Sequence, residues 1–486
     1  MKDIQEVELI PHVSKNVVSD ITGFKLCSYL VALEGWRRGL TLKWYSDETG
    51  LCKMDRLNSS THGKFYSLSS GSKEHFFFRS RGDKVSNKSV RICQNKEKTK
   101  DLLIKGNVPT TQGKIVDIDD EGVTSYAGDF GYPVVIKPLN GSMGKGVYTN
   151  IRDKEELLEA VNDFKSRYKY KEILLEKYYP GKEYRIYVVG DKVIGATNRI
   201  PANVQGDGVN SIEKLIENKN ELRKTNPYLA PKPIKVDYEV KHMLKKAGYD
   251  LQSVPVKDET IYLREKSNLS SGGDPIEATD ELSEEVKQIA VDSLKALPSI
   301  PHAGVDIIVN PEDNSKGVVL EINATAEIGF HLFPLEGKAK DVAGAVIDYY
   351  FPETVGGERS NFYFDYLSTL EPLKSWAVEE LKITDTPLGQ LYGKKYVVQG
   401  KVQQVGYMNW VRRQALRRGF FGSSAKLDKD KIVVSIFGKE KEALEKFKEL
   451  CYKGSKKSKV DNIEEFDLEL DQQKPMKVGF EINTGK

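Results

Sequence analysis

In "ITGFKLCSYLVALEGWRRGL", residues 21–40, apolar residues recur at helical spacing and predict a helix. "HFFFRSRGDKVS" reads as a strand running into a loop. From about residue 96 the pattern changes. Short β-branched runs such as "PVVIKP", "EILLEKY", "YRIYVVGDKVIGATNRI", "HAGVDIIV" and "GVVLEINA" alternate with helical segments such as "EELLEAVNDF". This alternation continues to residue 352 and predicts a mixed α/β body. Residues 204–260 interrupt it as a polar insertion, with helices expected around "SIEKLIENKNEL" and "YEVKHMLKKAGY". After a connector, 353–391, the order strand, turn, amphipathic helix begins in "KKYVVQGKVQQVGYMNWVRRQALRRGF" and recurs in "KIVVSIFG" and "EALEKFKELCYKG". Residues 392–486 therefore read as a βαββαβ sandwich. The expected organisation is a multidomain α/β and α+β chain, with units at 1–95, 96–352, 353–391 and 392–486.

Composition narrows the classes. With 486 residues, several domains are expected. Lys and Arg number 74 against 71 Asp and Glu, a net charge of +3, which argues against wholesale nucleic-acid coating. No apolar run is long enough for a membrane span, and the N-terminal residues lack a signal-peptide pattern. Cys27, Cys52, Cys93 and Cys451 are scattered, which suits reduced thiols in a cytoplasm. The composition leaves a homo-oligomer open.

The stretch "KPLNGSMGKGVYTNI", residues 137–151, invites a phosphate-loop reading. A Walker loop needs GxxxxGK[ST] followed by a helix. Here Lys145 precedes Gly146 and Val147, and a strand follows, so the loop joins two strands of a hairpin. Its glycines let the backbone approach a ligand, and exposed N–H groups there can cradle anionic oxygens. An ordinary glycine-rich turn has the same signature.

The surroundings change the weighing. Lys137 directly precedes the loop and Lys96 lies upstream. Glu176 and Glu183 stand seven apart, and Asp306, Glu321 and Asn323 follow on strand-like runs. Glu321 and Asn323 alternate, so they share a strand face. Two carboxylates and an amide are hard oxygen donors that suit Mg²⁺. His302 and His331 are candidate bases, although a lone histidine near a strand end is more often structural.

Together these blocks resemble the ATP-grasp superfamily of carboxylate–amine ligases, above all the ATP-grasp part of cyanophycin synthetase and of bifunctional glutathione synthetases. The resemblance covers roughly residues 90–352, and residues 1–95 would be the pre-ATP-grasp domain. "VVIKPLNGSMGKGV", "IYLREKSNLSSGGDPIEATD", "AGVDIIV" and "LEINATAEIGFHLFPLEGKAKDVAGAVIDYYFP" carry it in order. It implies ATP and Mg²⁺ (or Mn²⁺) as cofactors. Lys96 and Lys137 would contact phosphates, and Gly141, Ser142, Gly144 and Gly146 would close over them. Glu176 and Lys177 would meet adenine, and Glu183 the ribose. Asp306, Glu321 and Asn323 would hold the metal, with Arg185, Arg264 and Asn268 lining the phosphate and acyl end. Arg199 or Arg264 would meet a substrate carboxylate. Cyanophycin synthetase carries a further domain with its own Walker loop; this sequence shows no such motif, so a two-step polymerase of that kind is not expected.

The tail from Tyr392 to about Leu470 resembles acylphosphatase through "GKVQQVGYMNWVRRQALRRGFFG". The position of that family's phosphate-holding arginine falls on Met408, that of its asparagine on or beside Lys426, and Gln404 replaces a loop glycine. A thioether cannot do an arginine's bidentate work, so a docking module is expected before hydrolysis. The basic run "KGSKKSKVD", residues 453–461, reads as a solvated turn.

These readings imply ligation of a small-molecule carboxylate to an amine, both amino acids or short peptides, through an acyl phosphate. A nucleotide-binding regulatory protein and an acylphosphatase are the alternatives.

Overall fold

A computed structural model describes residues 10, 13–46, 53–56, 60–120, 122–139, 146–469 and 474–483. The helix Gly23–Arg37 is buried from Leu26 to Arg37. A helix apolar on nearly every side must be enclosed. It lies in a hydrophobic cluster that also takes Tyr187, Val342, Ile347, Phe362 and Leu373, so the N-terminal residues and the end of the α/β body share one core. An antiparallel sheet covers this region in the order Glu380–Lys382, Thr41–Tyr45, Phe65–Ser70, Lys73–Phe78, Arg81–Gly82. The connector therefore contributes an edge strand to it.

Two sheets build the α/β body. The larger has the order Asp274–Glu277, Lys192–Ile200, Lys182–Val189, His302–Val309, Gly317–Asn323, with every pair antiparallel. Tyr184, Ile186 and Val188 alternate into a core with Val286, Ala290 and Leu294 of the helix Glu284–Lys295. The period of two then sends Glu183, Arg185 and Tyr187 to the opposite face. The smaller sheet has the order Gly113–Asp117, Glu172–Lys177, Val134–Pro138, Tyr148–Ile151. Its last two strands pair antiparallel, Val134 with Ile151 and Ile136 with Tyr148, so the glycine-rich stretch does join a hairpin. Asp153 caps the helix Lys154–Arg167 by accepting from the Glu156 N–H at 2.8 Å. Glu155 and Glu156 sit in its first turn and Lys165 and Arg167 in its last, as the helix dipole favours.

The insertion has its own small core of Val204, Ile212, Ile216, Val240, Leu244 and Ile261. The expected helices are Ile212–Thr225 and Tyr238–Lys246.

From Tyr392 the chain forms the expected βαββαβ unit, with sheet order Lys459–Leu468, Tyr392–Lys401, Lys431–Gly438, Phe421–Lys426. The strand Phe480–Asn483 adds to its edge, parallel to Phe421–Lys426. Just before it, Met476–Lys477 pairs with Phe362–Tyr363 of the connector. Phe421 meets Phe362 edge-on at 5.0 Å, and Lys477 pairs with Asp365 at 3.0 Å. The C-terminal residues thus fasten this unit to the connector. No helix among the described residues is long and apolar enough to cross a membrane.

Candidate active site

Three neighbouring strands place Arg185, Asp306 and Glu321 directly opposite one another. Arg185 grips Asp306 with two bonds, one from Nε and one of 2.8 Å from Nη2 to Oδ2. Its Nη2 also lies 3.9 Å from Glu321 Oε1, so a guanidinium stands between the two carboxylates. Arg199 Nη2 donates to Asp306 Oδ2 at 3.0 Å and to Glu183. Asn323 Nδ2 donates to Glu321 Oε1 at 3.0 Å. Gly304 makes the close approach feasible, because a Cβ there would lie 2.9 Å from the Arg185 side chain and 2.8 Å from Ala326. Burial pushes the Asp306 carboxyl up, but Arg185 and Arg199 outweigh it and hold the group well below the usual carboxylate range.

A second cluster lies on the smaller sheet. Glu176 is 2% exposed and accepts from both Lys100 and Lys137. Thr111 Oγ1 adds a hydrogen bond of 3.0 Å to Oε1. Val135 is opposite Glu176, so Lys137, two residues on, reaches the same face. Gly113 leaves room, since its Cβ would stand 2.6 Å from Glu176 Cγ. Burial raises Glu176, and the two lysines more than reverse this. Lys96 opens the helix Lys96–Lys105 and links the two clusters. Burial lowers its pKa first and the charge of Lys137 second, while Glu321 and Glu176 act in the other direction. One ammonium therefore feels the carboxylates of both clusters.

The other expected residues lie apart. Lys177 has an exposed side chain, and its N–H donates to Gln112 O at 2.9 Å. Glu183 also accepts from Ser267 Oγ at 2.8 Å. Arg264 is turned to the insertion, donating to Asp237 Oδ2 at 2.6 Å, to Glu239 and to Ser271 O at 3.0 Å. Asn268 shapes its own loop, accepting from the Ser270 N–H at 3.0 Å. Gly146 has φ +72, a left-handed conformation that suits glycine. Gly141, Ser142 and Gly144 lie outside the described residues. The hairpin and the segment Glu265–Lys266 face each other across a cavity of about 610 Å³.

His302 and His331 are buried and tied into the scaffold. His302 Nδ1 is 3.1 Å from the Tyr187 hydroxyl, and His331 Nδ1 is 3.1 Å from Thr197 Oγ1. Burial first, then Arg81 and Arg185 respectively, pull both down to about 3, so they stay neutral.

Lys100 is the functional candidate that sequence reasoning missed. It stands four residues after Lys96, so both project from one helix face. Arg199, expected to meet a substrate carboxylate, already spans Glu183 and Asp306, while its buried Nε has no hydrogen-bond partner among the described residues.

Asp306 and Glu321 in register, an arginine between them, Lys137 on the smaller sheet and Lys96 and Lys100 on the helix Lys96–Lys105 form a cluster of paired anions and cations. Residues 93–222 match the RimK-like ATP-grasp domain family. The chain carries an ATP-grasp domain. Residues 394–482 match the acylphosphatase family. Cyanophycin synthetase from Trichormus variabilis is 36% identical over 283 residues, covering 57% of this chain and 31% of that protein. The glutathione biosynthesis bifunctional protein GshAB from Clostridium perfringens is 32% identical over 350 residues, covering 69% of this chain and 43% of that protein. The chain thus spans about a third of the length of the cyanophycin synthetase it matches. A bifunctional glutathione synthetase from Pasteurella multocida is 30% identical over 61% of this chain and 41% of its own, with a TM-score of 0.48.

Proposed function

We propose that the protein is an ATP-dependent ligase that joins a carboxylate to an amine through an acyl phosphate, releasing ADP and phosphate. The observation that carries this is the row Arg185, Asp306, Glu321 across three strands, with Lys96 electrostatically coupled to both this row and the Lys137–Glu176 pair. The substrates are amino acids or short peptides, and free Cys27, Cys93 and Cys451 suit a reducing cytoplasm.

Asp306, Glu321 and Asn323 form an oxygen-only donor set, which fits a divalent cation such as Mg²⁺ or Mn²⁺. A cation held by these residues would supply positive charge against the phosphates. Lys96 and Lys137 bind the phosphate oxygens, and Lys100 stays with Glu176 as Lys137 turns to its ligand. Gly141, Ser142, Gly144 and Gly146 cover the phosphates and exclude water from the mixed anhydride. Glu176 and Lys177 adjoin adenine, and Glu183 the ribose. Arg185 and Arg199 hold Asp306 ionised and offer positive charge to the acyl phosphate. Arg264 and Asn268 act by shaping the loop that leans onto Glu183, a positioning role. The amine then attacks the acyl carbon, and phosphate leaves.

Glu321→Ala tests this reading. ADP formation is lost while the thermal unfolding curve is kept. Near-normal ADP release at saturating Mg²⁺ would remove the row from the reaction.

A further inference from the structure

A cavity of about 580 Å³ opens in the acylphosphatase-like domain, between the helix Tyr407–Leu416 and the C-terminal end of the helix Lys441–Lys453. Trp410 forms one wall, and Arg413, Lys453, Lys456 and Lys457 surround it. It adjoins the loop expected from acylphosphatases only at Val405 and Gly406, and neither Met408 nor Lys426 lines it.

The charge there is uncompensated. Among the described residues, none of these four cations has a carboxylate within ion-pair distance, whereas elsewhere in the same domain Lys394 pairs with Glu465 and Asp467 and Lys448 pairs with Glu465. Four like charges around one concavity repel one another. Low-dielectric walls then focus their field on an incoming anion.

The lysines are also presented by an ordered turn. The Ser458 N–H donates to Ser455 O at 3.0 Å, and Ser458 Oγ donates to the same oxygen at 2.9 Å. Ser455 Oγ reaches across to Val405 O at 3.1 Å and ties the turn to the opposite loop. Lys456 and Lys457 are thereby held at its tip. Trp410 packs against Tyr407 with centroids 5.9 Å apart and is half-buried, which leaves an indole surface toward the cavity. Indole stacks on planar rings, and the volume is that of a small-molecule site.

We propose that this cavity binds a nucleoside polyphosphate, with its phosphates among Arg413, Lys453, Lys456 and Lys457 and its base against Trp410. This is a second nucleotide site on the chain, separate from the ATP-grasp site.

The full chain is titrated calorimetrically with MgADP and, separately, with tripolyphosphate. Two ADP per chain are expected. The exposed-residue variant Arg413→Glu/Lys456→Glu/Lys457→Glu loses one, with affinity at that site reduced at least tenfold, and keeps the other. Lys137→Ala does the converse. Trp410→Ala weakens ADP several-fold at the cavity and leaves tripolyphosphate unchanged. Should the ATP-grasp reading fail, the wild type would bind a single ADP that the charge reversals abolish, so the two readings fail separately. A stoichiometry untouched by the charge reversals would overturn the proposal. So would oligothymidylate that displaces ADP from the cavity with a steep salt dependence, since that would make it a nucleic-acid surface.

Discussion

Arg185 stands opposite Asp306 on the adjoining strand and holds both of its carboxylate oxygens. The positive charge that a metal would bring is already supplied by the chain, because Arg199 adds a second guanidinium at 3.0 Å. Asn323 meanwhile donates to Glu321. Mg²⁺ by itself must compete with these groups, and it dehydrates reluctantly. We therefore expect Mg²⁺ alone to bind in the millimolar range, and nucleotide to tighten it at least tenfold, about 1.4 kcal/mol of coupling. Calorimetric titrations with and without AMPPNP measure this. Equal Mg²⁺ affinities in the two would show that the row is not the metal site.

Lys100 lets Lys137 change partners. Glu176 is buried, so it needs a cation when Lys137 turns to phosphate. Lys100→Met should raise the KM for ATP about tenfold with a smaller fall in kcat, and destabilise the protein by roughly 1–3 kcal/mol. Adding Glu176→Gln removes the charge that needed balancing and should recover part of both losses. A double-mutant cycle gives the coupling, expected at about 0.5–3 kcal/mol. Strict additivity would contradict the account.

His302 and His331 should shape stability rather than catalysis. Both have a folded pKa of about 3, below the ordinary 6.5. The unfolded chain takes up protons below pH 6.5 while the folded chain does not. Their contribution is therefore present above pH 6.5 and is lost as pH falls toward 3. Between pH 7 and 5 each should account for about 2 kcal/mol of lost stability. Urea midpoints for wild type and His302→Gln check this, and the variant should show the flatter slope. Identical slopes would mean that His302 is not held neutral.

The acylphosphatase-like domain should not hydrolyse acyl phosphates. Met408 stands at its expected arginine position and Lys426 at or beside its expected asparagine, and the loop before Met408 is held by Gln403, which donates to Asp428 O. Because the strand Met476–Lys477 pairs with the connector, the whole chain is the proper test object. With Glu321→Ala in place, benzoyl phosphate should decay at the buffer rate. Met408→Arg/Lys426→Asn should then raise the rate measurably, since the fold of the loop is retained. Hydrolysis by the parent would show a rebuilt site.

Much of this was legible in the chain. The glycine-rich hairpin showed itself because β-branched runs flank it, and Glu321 and Asn323 share a face by strand period alone. Arg185 opposite Asp306 could not be read, because strand order and register are set by packing between segments more than a hundred residues apart. Lys100 was readable from its spacing to Lys96, yet its buried partner Glu176 was not. The short strands Glu380–Lys382 and Met476–Lys477 carry too few residues for a periodic signal, and their partners lie far away in sequence.

The central claim is acyl-phosphate ligation, and the direct measurement is mass spectrometry of products together with ADP release. Purified protein is given MgATP and pooled amino acids and short peptides, with and without hydroxylamine. The account predicts ADP release that depends on the pool, with one amide, equal to acid plus amine minus water, per ADP. Hydroxylamine should divert this product to a hydroxamate, and Glu321→Ala should abolish all three signals. Formation of AMP and pyrophosphate instead, or ADP release unaffected by the pool, would contradict it.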